Sequence, residues 1–391
     1  MIRILHVVTT MDFGGVETLL MNIYRLIDRE KMQFDFLCMN TCENLFSSEI
    51  KKMGGKMYAV PFMSKVGYWG YLRRLYTFFK EHPEYKIVHS HINAYNGLVL
   101  GQAQKAGVPI RISHSHSSNI EEKSFFRGQI DQFCAKKIER YSNIYFACSI
   151  AAAKEFYHQK KNFEECIIMN NAINIEKFKF DMGQRLKIRK KYFCGDKFVI
   201  GHVGRFSYEK NQRMIIDLAE NILKDNANIE FWLIGDGPDK KELEQYVLTH
   251  QMDKNIKFLG IQNNISALMS AMDMFLFPSI FEGLGIVVIE AQANGLPILS
   301  SDTVPRETNL TPLIQYLPLD DKERWLTSIF KIAEDKKRCK RQCYIEAICE
   351  QGYDIKNISE RLVRFYKKVI EFEGEEPINM QKYWWNGENI D

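Results

Sequence analysis

Short apolar runs alternate with helix-length amphipathic segments along almost the whole chain, and Val16–Ile27 and Asn93–Ala106 are two segments with a helical pattern. In the first half, the apolar runs predict strands at Ile2–Val8, Phe34–Cys38, Met57–Val60, Lys86–Ser90, Ile110–Ser113, Ile144–Cys148 and Ile167–Met169. In the second half, they predict strands at Phe198–Val203, Ile229–Ile234, Ile256–Leu259, Met274–Phe277 and Ile298–Ser300. Uninterrupted apolar strands separated by helices are typical of parallel sheets that are covered on both faces.

Both halves of the chain begin in a related way. The first predicted strand leads to Gly14 and Gly15, and the strand at 198–203 leads to Gly204 and Arg205. We therefore predict an α/β protein with two Rossmann-like domains, 1–178 and 179–372, whose sheets face each other across a cleft, and a tail at 373–391. The charged stretch 176–196 is expected to hold the linker and the first helix of the second domain, and 359–372 shows the last strong helical pattern.

The net charge of +4 hides an asymmetry between the halves of the 391 residues. Residues 1–195 contain 29 Lys and Arg against 18 Asp and Glu, whereas residues 196–391 contain 24 against 31. Opposite charges in the two halves indicate domains with different partners. The basic half could face nucleic acid, an anionic lipid surface or a phosphorylated acceptor.

Several classes of protein are disfavoured by what the sequence lacks. No apolar stretch reaches the roughly 18 residues of a transmembrane helix, and the N-terminus does not have the layout of a signal peptide. We therefore expect a cytoplasmic protein. The nine cysteines are scattered without a Cys-x-x-Cys pair, which argues against a disulfide framework or a zinc site.

The most informative segment is 277–290, in which Glu282 and Glu290 stand eight residues apart. It predicts a buried strand, a loop containing Gly283 and Gly285, and the start of a helix. A helix N-terminus attracts anions because its amides are unpaired and its dipole is positive there, and glycines allow a ligand to approach the backbone. Glu290 would lie one to two turns into the helix, where it could accept hydrogen bonds from sugar hydroxyls. The pattern therefore indicates a nucleotide-sugar site.

This segment resembles the E-x7-E signature of the family 4 retaining glycosyltransferases, which have the GT-B fold. Other motifs of that family follow in the same order: 12–18 resembles its Gly-Gly loop, 204–206 with Lys210 its basic diphosphate clamp, 235–238 its G-x-G-P turn, and 291–300 the strand and turn after the signature. One departure is Asn-Ala-Ile-Asn at 171–174, where many relatives have Asn-Gly-Ile-Asp.

The resemblance implies donor-binding residues at Gly14, Gly15, Gly204, Arg205, Lys210, Gly283, Leu284, Gly285, Ile286 and Glu290. Arg205 and Lys210 would neutralise the diphosphate, the first as a planar fork and the second as a point charge. Glu290 would bind the ribose and Glu282 the donor sugar. Glu282 could instead cap the helix, and the two N-terminal glycines could form an ordinary turn.

Histidines follow two predicted strands of the first half, at His89, His91, His114 and His116. Strand carboxyl ends face the ligand crevice in such sheets, and family 4 enzymes often have a histidine near the donor sugar after the second of these strands. The spacing leaves open whether His114 or His116 has that catalytic role, and His91 is a weaker candidate. The alternative is a structural role for each ring.

The sequence contains no Asp-x-Asp triplet, no Gly-x-Gly-x-x-Gly after a strand, no P-loop and no His-Glu-x-x-His. This argues against a dehydrogenase, a nucleoside triphosphatase and a zinc protease. We expect neither a cofactor nor a metal ion, because Arg205, Lys210 and helix amides would stabilise the leaving group.

The segment 65–80 mixes aromatic residues with four cations. Tyr68, Leu72, Leu75 and Phe79 have helical spacing, which predicts a helix packed on the sheet. The alternative is an interfacial membrane helix, and 123–140 could add to the same basic face.

Taken together, the resemblance implies a hexosyltransferase that moves a sugar from a nucleotide sugar, expected to be UDP-linked, with retention of configuration. The expected acceptor is a lipid-linked or polysaccharide intermediate of capsule or exopolysaccharide synthesis. Peripheral contact with the anionic inner face of the plasma membrane is expected, and no nucleic-acid partner. The alternatives are a GT-B epimerase or phosphorylase and a catalytically silent sugar-binding subunit.

Overall fold

The computed structural model describes the chain except residues 13, 42, 117–132, 158–163, 335–340, 372–383 and 385–391. Its strands are β1 Ile2–Val8, β2 Met32–Met39, β3 Met57–Val60, β4 Ile87–Ser90, β5 Ile110–Ser115, β6 Ile144–Ala147, β7 Ile167–Ile168, β8 Phe198–Val203, β9 Ile229–Ile234, β10 Ile256–Gly260, β11 Met274–Phe277, β12 Ile298–Ser301 and β13 Ile314–Leu317.

The described α-helices are α1 Gly15–Leu26, α2 Ser47–Lys52, α3 Met63–Glu81, α4 Asn96–Ala106, α5 Ile138–Tyr141, α6 Ile150–Phe156, α7 Ile175–Phe178, α8 Met182–Lys191, α9 Gln212–Asp225, α10 Lys240–Thr249, α11 Ile265–Ala271, α12 Ile286–Ala293, α13 Lys322–Ala333, α14 Ile345–Glu350 and α15 Ile355–Glu371. Short 3-10 turns lie at Asn93–Tyr95, Tyr208–Lys210 and Arg306–Thr308.

Two compact units divide the chain. The first unit comprises residues 1–172 and 355–391, and the second comprises residues 173–354. The predicted domain bounds differ from this division in three respects. The units change at 172/173 instead of 178/179, and α15 belongs to the first unit instead of the second, because its apolar face packs into the first unit's core. The segment 373–391, predicted as a separate tail, is also assigned to the first unit, whose core contains Trp384.

The first unit is built on a seven-stranded parallel sheet in the order β3-β2-β1-β4-β5-β6-β7. Successive residues of a strand point to opposite faces, so Ile4 and Leu5 lie in different clusters. Ile4 packs with Leu362 and Phe365 of α15. Leu5 packs with Leu75 of α3 on the other face. Helices therefore cover both faces of the sheet, as the uninterrupted apolar strands predict.

The second unit has a six-stranded parallel sheet in the order β10-β9-β8-β11-β12-β13. Helix α8 is fixed to it by Asp273, which precedes β11. The buried carboxylate pairs with Arg185 at 2.6 Å and with Arg189 at 3.1 Å. Buried charges require such partners because they have lost their hydration. This network holds the start of β11, the strand that leads into segment 277–290.

The twelve predicted strands are all present, with ends shifted by at most two residues. The predicted pair of parallel, Rossmann-like sheets is therefore confirmed. Strand β13 was not predicted, because its four residues include the exposed Gln315 and form no continuous apolar run. Among the helices that the structure describes, none has the length and apolar character required to span a membrane.

Candidate active site

Two loops of the second unit meet at the carboxyl end of its sheet. They follow β8 and β11, which are neighbouring strands, so both loops leave the sheet at one edge. The Ile280 amide donates to the Glu209 carbonyl at 2.8 Å, and the Asn211 side chain donates to the Pro278 carbonyl at 3.1 Å. The loop that contains the predicted diphosphate clamp is therefore held against the loop that begins the E-x7-E segment.

Lys210 and Glu282 form a bidentate ion pair between these loops. The Lys210 Nζ donates to the two carboxylate oxygens at 2.5 and 2.6 Å and lies 5.5 Å from the centre of the Phe277 ring. The lysine side chain is 24% exposed and the glutamate 7%. The ion pair therefore fixes the Lys210 ammonium between the two loops, with part of its charge compensated by Glu282.

Arg205 lies on the same loop with its side chain exposed, and side chains of the second unit hold its backbone in place. Its carbonyl accepts a hydrogen bond from Gln212 Nε2 at 2.7 Å. The same amide lies 3.2 Å from His202 Nε2, and His202 Nδ1 donates to the Leu276 carbonyl at 2.9 Å. Burial lowers the pKa of His202 to about 4, so the ring is neutral and its Nε2 accepts from Gln212. This chain of contacts positions the loop between the two strands.

The turn at 235–238 supports that loop through close backbone packing. A Cβ on Gly235, whose φ is +137°, would lie 2.0 Å from the Gly204 carbonyl oxygen, and one on Gly237 would lie 2.2 Å from the Phe206 oxygen. The Phe206 amide donates to the Asp236 carbonyl at 3.0 Å. Glycines are required at these positions because any side chain would push the Arg205 loop away.

Helix α12 begins at the second loop. Its N-cap, Gly285, has a φ of +82°, a conformation that favours glycine, and a Cβ on Gly283 would meet open space. Leu284 is buried and Ile286 half-buried, so their side chains anchor this turn. The first amides of the helix have no intrahelical acceptors and carry the positive end of the dipole. The turn can therefore bind an anion through its backbone.

Glu290 lies in the second turn of α12, and among the described residues its carboxyl group has no hydrogen-bond partner. The side chain is partly exposed, yet the surrounding protein raises its pKa to about 8, because desolvation penalises the charged form and Lys177 offsets only part of this. A carboxyl group without partners, beside an anion-binding turn, is suited to accept hydrogen bonds from ligand hydroxyls.

The remaining predicted site residues lie in the first unit. Gly14 is the extended N-cap of α1, and a Cβ there would clash with the Glu17 carboxylate at 2.1 Å. Gly15 begins the helix, and a Cβ there would meet nothing within 4 Å. Residue 13, part of the same predicted loop, lies outside the described residues. Gly14 therefore leaves room for the Glu17 side chain at the start of α1, whereas packing does not require a glycine at position 15.

His114 and His116 lie at and just after the end of β5. His114 is fully buried and His116 half-buried, and their ring centroids are 3.9 Å apart. The His116 amide donates to the Asn93 side chain at 3.0 Å, which fixes the backbone at the strand end. Both rings therefore belong to one buried group.

A family model described as "Glycosyl transferases group 1" matches residues 184–311. The Bacillus subtilis protein EpsF, whose name assigns it provisionally as a glycosyltransferase, is 30% identical over 370 residues, which are 93% of this chain and 96% of EpsF. The chain belongs to the group 1 glycosyltransferases. It is also 24% identical to an Escherichia coli enzyme named UDP-Gal:alpha-D-GlcNAc-diphosphoundecaprenol alpha-1,3-galactosyltransferase, over 86% of this chain and 89% of that protein.

Solved structures show the same architecture. Anabaena Alr3699/HepE in complex with UDP and glucose aligns with this glycosyltransferase with a TM-score of 0.77 and 19% identity, over 94% of this chain and 100% of HepE. A Rickettsia africae glycosyltransferase aligns with a TM-score of 0.74 and 14% identity, over 95% and 99%. The predicted GT-B fold is therefore confirmed.

The glycosyltransferase contains positioning residues that sequence analysis did not identify. Gln212, His202 and Asn211 contact backbone carbonyls of the two site loops. His202 and Gln212 stand close to Gly204 and Arg205 in the sequence, so their proximity to the clamp was a usable signal. Asn211 directly follows Lys210, but nothing in the sequence indicated its partner Pro278, which is 67 residues away.

Proposed function

We propose that this glycosyltransferase moves a hexose-type sugar from a UDP-sugar to a lipid-linked or polysaccharide acceptor with retention of anomeric configuration, as a family 4 enzyme. The observation that carries the proposal is the pairing of Lys210 with Glu282 at the N-terminal turn of α12. It brings a cation and a carboxylate together beside the first amides of a helix. This combination suits a diphosphate attached to a polyol.

The relatives support the donor and the acceptor class. HepE has been solved with UDP-glucose, at a TM-score of 0.76 to this chain. The Escherichia coli relative is named for a UDP-galactose donor and a diphosphoundecaprenol-linked acceptor. Another relative, CapH of Staphylococcus aureus, is named for capsular polysaccharide biosynthesis and is 25% identical over 77% of this chain and 82% of that protein.

A front-face displacement suits the geometry. The bond between the anomeric carbon and the diphosphate oxygen breaks while the acceptor oxygen bonds to the same carbon, and the acceptor proton moves to the departing diphosphate. Lys210, Arg205 and the amides of α12 stabilise the charge that develops on this leaving group. Glu282 is fixed by Lys210, so its role in this mechanism is to hold the donor sugar and not to attack it.

The test is a transfer assay with a panel of UDP-sugars and polyprenyl-diphosphate-linked acceptors. The expected product keeps the donor's anomeric configuration by NMR, and it forms only when donor and acceptor are both present. Conversion of the UDP-sugar alone would favour an epimerase, and sugar 1-phosphate formation would favour a phosphorylase. Donor binding without turnover on any acceptor would favour a silent subunit.

Transfer is expected to need no divalent metal ion, because Lys210, Arg205 and helix amides take the place of a bridging cation. Enzyme freed of metal by a chelator should retain most of its initial rate, and added Mg²⁺ or Mn²⁺ should change that rate by less than about twofold. A rate that collapses in chelator and returns with Mg²⁺ would contradict this.

Helix α3 offers a surface for peripheral membrane contact. Its inward side packs Tyr71, Leu75, Phe78 and Phe79 into the core, which confirms the predicted packing on the sheet. Its outward side carries Trp69, Arg73, Tyr76 and Lys80 at helical spacing, with Trp69 79% exposed. A stripe of aromatic and cationic residues is typical of interfacial helices.

The neighbouring helix α5 and the turn before it add to this stripe. Phe133 is 54% exposed, and Lys137 lies 4.3 Å above its ring and donates to Tyr68 at 2.8 Å. Residues 123–132 of the predicted basic face lie outside the described residues. We propose that these surfaces hold the enzyme at an anionic membrane, where a lipid-linked acceptor would be found.

Changing Arg73 and Arg74 to Glu is expected to weaken liposome binding by about 30-fold or more, because each cation near an anionic surface contributes about 1 kcal/mol. Co-sedimentation should rise with anionic lipid and fall with added salt. The matched control is Lys241→Glu with Lys254→Glu, two exposed cations of the second unit, which should bind like wild type. Wild-type protein that ignores anionic vesicles at low salt would leave a soluble acceptor as the better proposal.

A further inference from the structure

Five histidines of the first unit form one group, here called the histidine cluster. His6 lies on β1, His89 on β4 and His114 on β5, while His91 and His116 follow β4 and β5. These strands are adjacent in the sheet, and His6 pairs directly with His89 across β1 and β4. Four of the rings are buried and His116 is half-buried.

The rings contact one another through their nitrogens. His91 Nε2 lies 3.0 Å from His6 Nδ1, and His91 Nδ1 lies 2.8 Å from His116 Nε2. His89 Nε2 lies 3.2 Å from His114 Nδ1. At such distances one proton is shared between each pair, because two lone pairs or two N–H groups would repel. The cluster is thus a set of imidazoles, each directed at another.

Three ring nitrogens of the cluster have no hydrogen-bond partner among the described residues. They are His6 Nε2, His114 Nε2 and His116 Nδ1, and all three are buried atoms. Buried polar atoms are nearly always paired in native proteins, and a missing ion is one explanation of an unpaired atom. His91 contacts the last of these rings, since its Nδ1 lies 2.8 Å from His116 Nε2.

We propose that His91, His114 and His116 bind a divalent transition-metal ion that prefers imidazole, such as Zn²⁺ or Co²⁺. One nitrogen from each ring lies within 4.8 Å of the others. Tetrahedral zinc with bonds of about 2.0–2.1 Å separates its ligand nitrogens by about 3.4 Å, so small ring rotations suffice. Three protein ligands would leave a fourth position for water.

His6, His89 and Tyr366 would act as the outer shell of this site. His6 contacts His91, His89 contacts His114, and Tyr366 Oη lies 2.6 Å from His89 Nδ1. Partners of this kind fix the tautomer and the orientation of metal ligands. His6, His89 and His91 form a second group within 4.8 Å, but all three are fully buried, so an ion would reach them less readily.

This site departs from the expectation of a chain without metal ligands, and it is independent of the proposed transfer reaction. Lys210 and Arg205, in the other unit, still carry the leaving group, so chelation should spare transfer while it empties the histidine cluster.

The test is titration of the metal-free full chain with Co²⁺ alone. The wild type is expected to bind one ion per chain, with the strong visible absorption of four- or five-coordinate cobalt, and Zn²⁺ should displace it. His116→Gln, at the half-exposed ring, should weaken binding by about 100-fold or more. His250→Gln, at an exposed histidine of α10, is the matched control and should bind like wild type.

His114→Gln is the second variant, and circular dichroism with thermal melting monitors the fold of each variant. Equal cobalt affinity in the wild type and both cluster variants would overturn the site. Weak absorption typical of six-coordinate cobalt in the wild type would do the same. If His114→Gln is misfolded, His116→Gln and the cobalt spectrum of the wild type still decide the proposal.

Discussion

Replacing Lys210 with alanine is expected to lower kcat by about 100-fold or more, the usual effect of removing one preorganised group that stabilises developing charge. Lys210 is held by Glu282 at 2.5 and 2.6 Å before any ligand arrives, so it needs little reorganisation when the diphosphate departs. Arg205→Ala should have an effect of similar size. Steady-state kinetics with a saturating donor measures both.

Arg213→Ala is the matched control for these variants. Arg213 lies on α9 close to the clamp loop in sequence, but its guanidinium pairs with Asp217 at 2.8 Å on the surface. Its loss should leave kcat within about twofold, since exposed ion pairs contribute little. Wild-type turnover in Lys210→Ala, with the donor saturating, would remove Lys210 from the mechanism.

Glu290→Gln is expected to weaken the binding of UDP and of UDP-sugar by the same factor, about 10-fold or more, because a hydrogen bond to a charged group contributes about 1.5–3 kcal/mol. The carboxyl group has a pKa of about 8 without ligand, and only its ionised form offers both oxygens as hydrogen-bond acceptors to two ribose hydroxyls. UDP should therefore bind wild type more tightly as the pH rises from 6 to 8. Calorimetry should show the additional pH dependence disappear in Glu290→Gln.

Glu282→Gln provides the contrasting control. It should weaken the sugar donor much more than UDP, because Glu282 is proposed to contact the sugar, whereas UDP would be affected only through the positioning of Lys210. Equal loss of UDP affinity in both variants would contradict this division of roles. A pH dependence that is unchanged by Glu290→Gln would show that Glu290 does not ionise on binding.

The same carboxyl group should reduce the stability of the ligand-free protein at neutral pH. A glutamate whose pKa is raised in the folded state from 4.5 to about 8 loses stability as the pH rises between those values, because the unfolded chain releases its proton first. Glu290→Gln should therefore unfold at a higher temperature than wild type at pH 8, by a few degrees. The unfolding temperatures of wild type and Glu290→Gln should differ little near pH 4.5. A Glu290→Gln variant that is more stable than wild type is folded, so its weaker UDP binding would reflect the loss of a ligand contact and not misfolding.

Much of the architecture could be predicted from local patterns. Each buried strand in a parallel sheet has an apolar run that is visible without its neighbours, and glycines such as Gly285 mark a backbone conformation within a few residues. Strand β13 was not predicted, because the exposed Gln315 interrupts its run of apolar residues. Patterns of this range also located Glu282 and Glu290 on one loop and helix.

Contacts between distant segments could not be predicted in this way. Lys210 and Glu282 are 72 residues apart, and no periodicity relates them. The contact between His6 and His91 likewise cannot be read from the sequence, because it forms only when β1 and β4 pair in the sheet. The raised pKa of Glu290 depends on the complete environment of α12. Sequence analysis identified the chemical groups, but the three-dimensional pairing decided which of them act on one another.

The membership of α15 in the first unit has a consequence for how the protein is made. Residues 173–354 enter and leave the second unit at neighbouring points, since Ile173 and Asp354 form a parallel backbone bridge. The second unit is therefore a continuous insertion, and all of its residues have been synthesised before the ribosome reaches α15. The first unit starts earlier but finishes later, because Leu362 and Phe365 of α15 complete its core. Until those residues emerge, the nascent first unit exposes apolar surface around Ile4 and Tyr24 that a chaperone would have to protect.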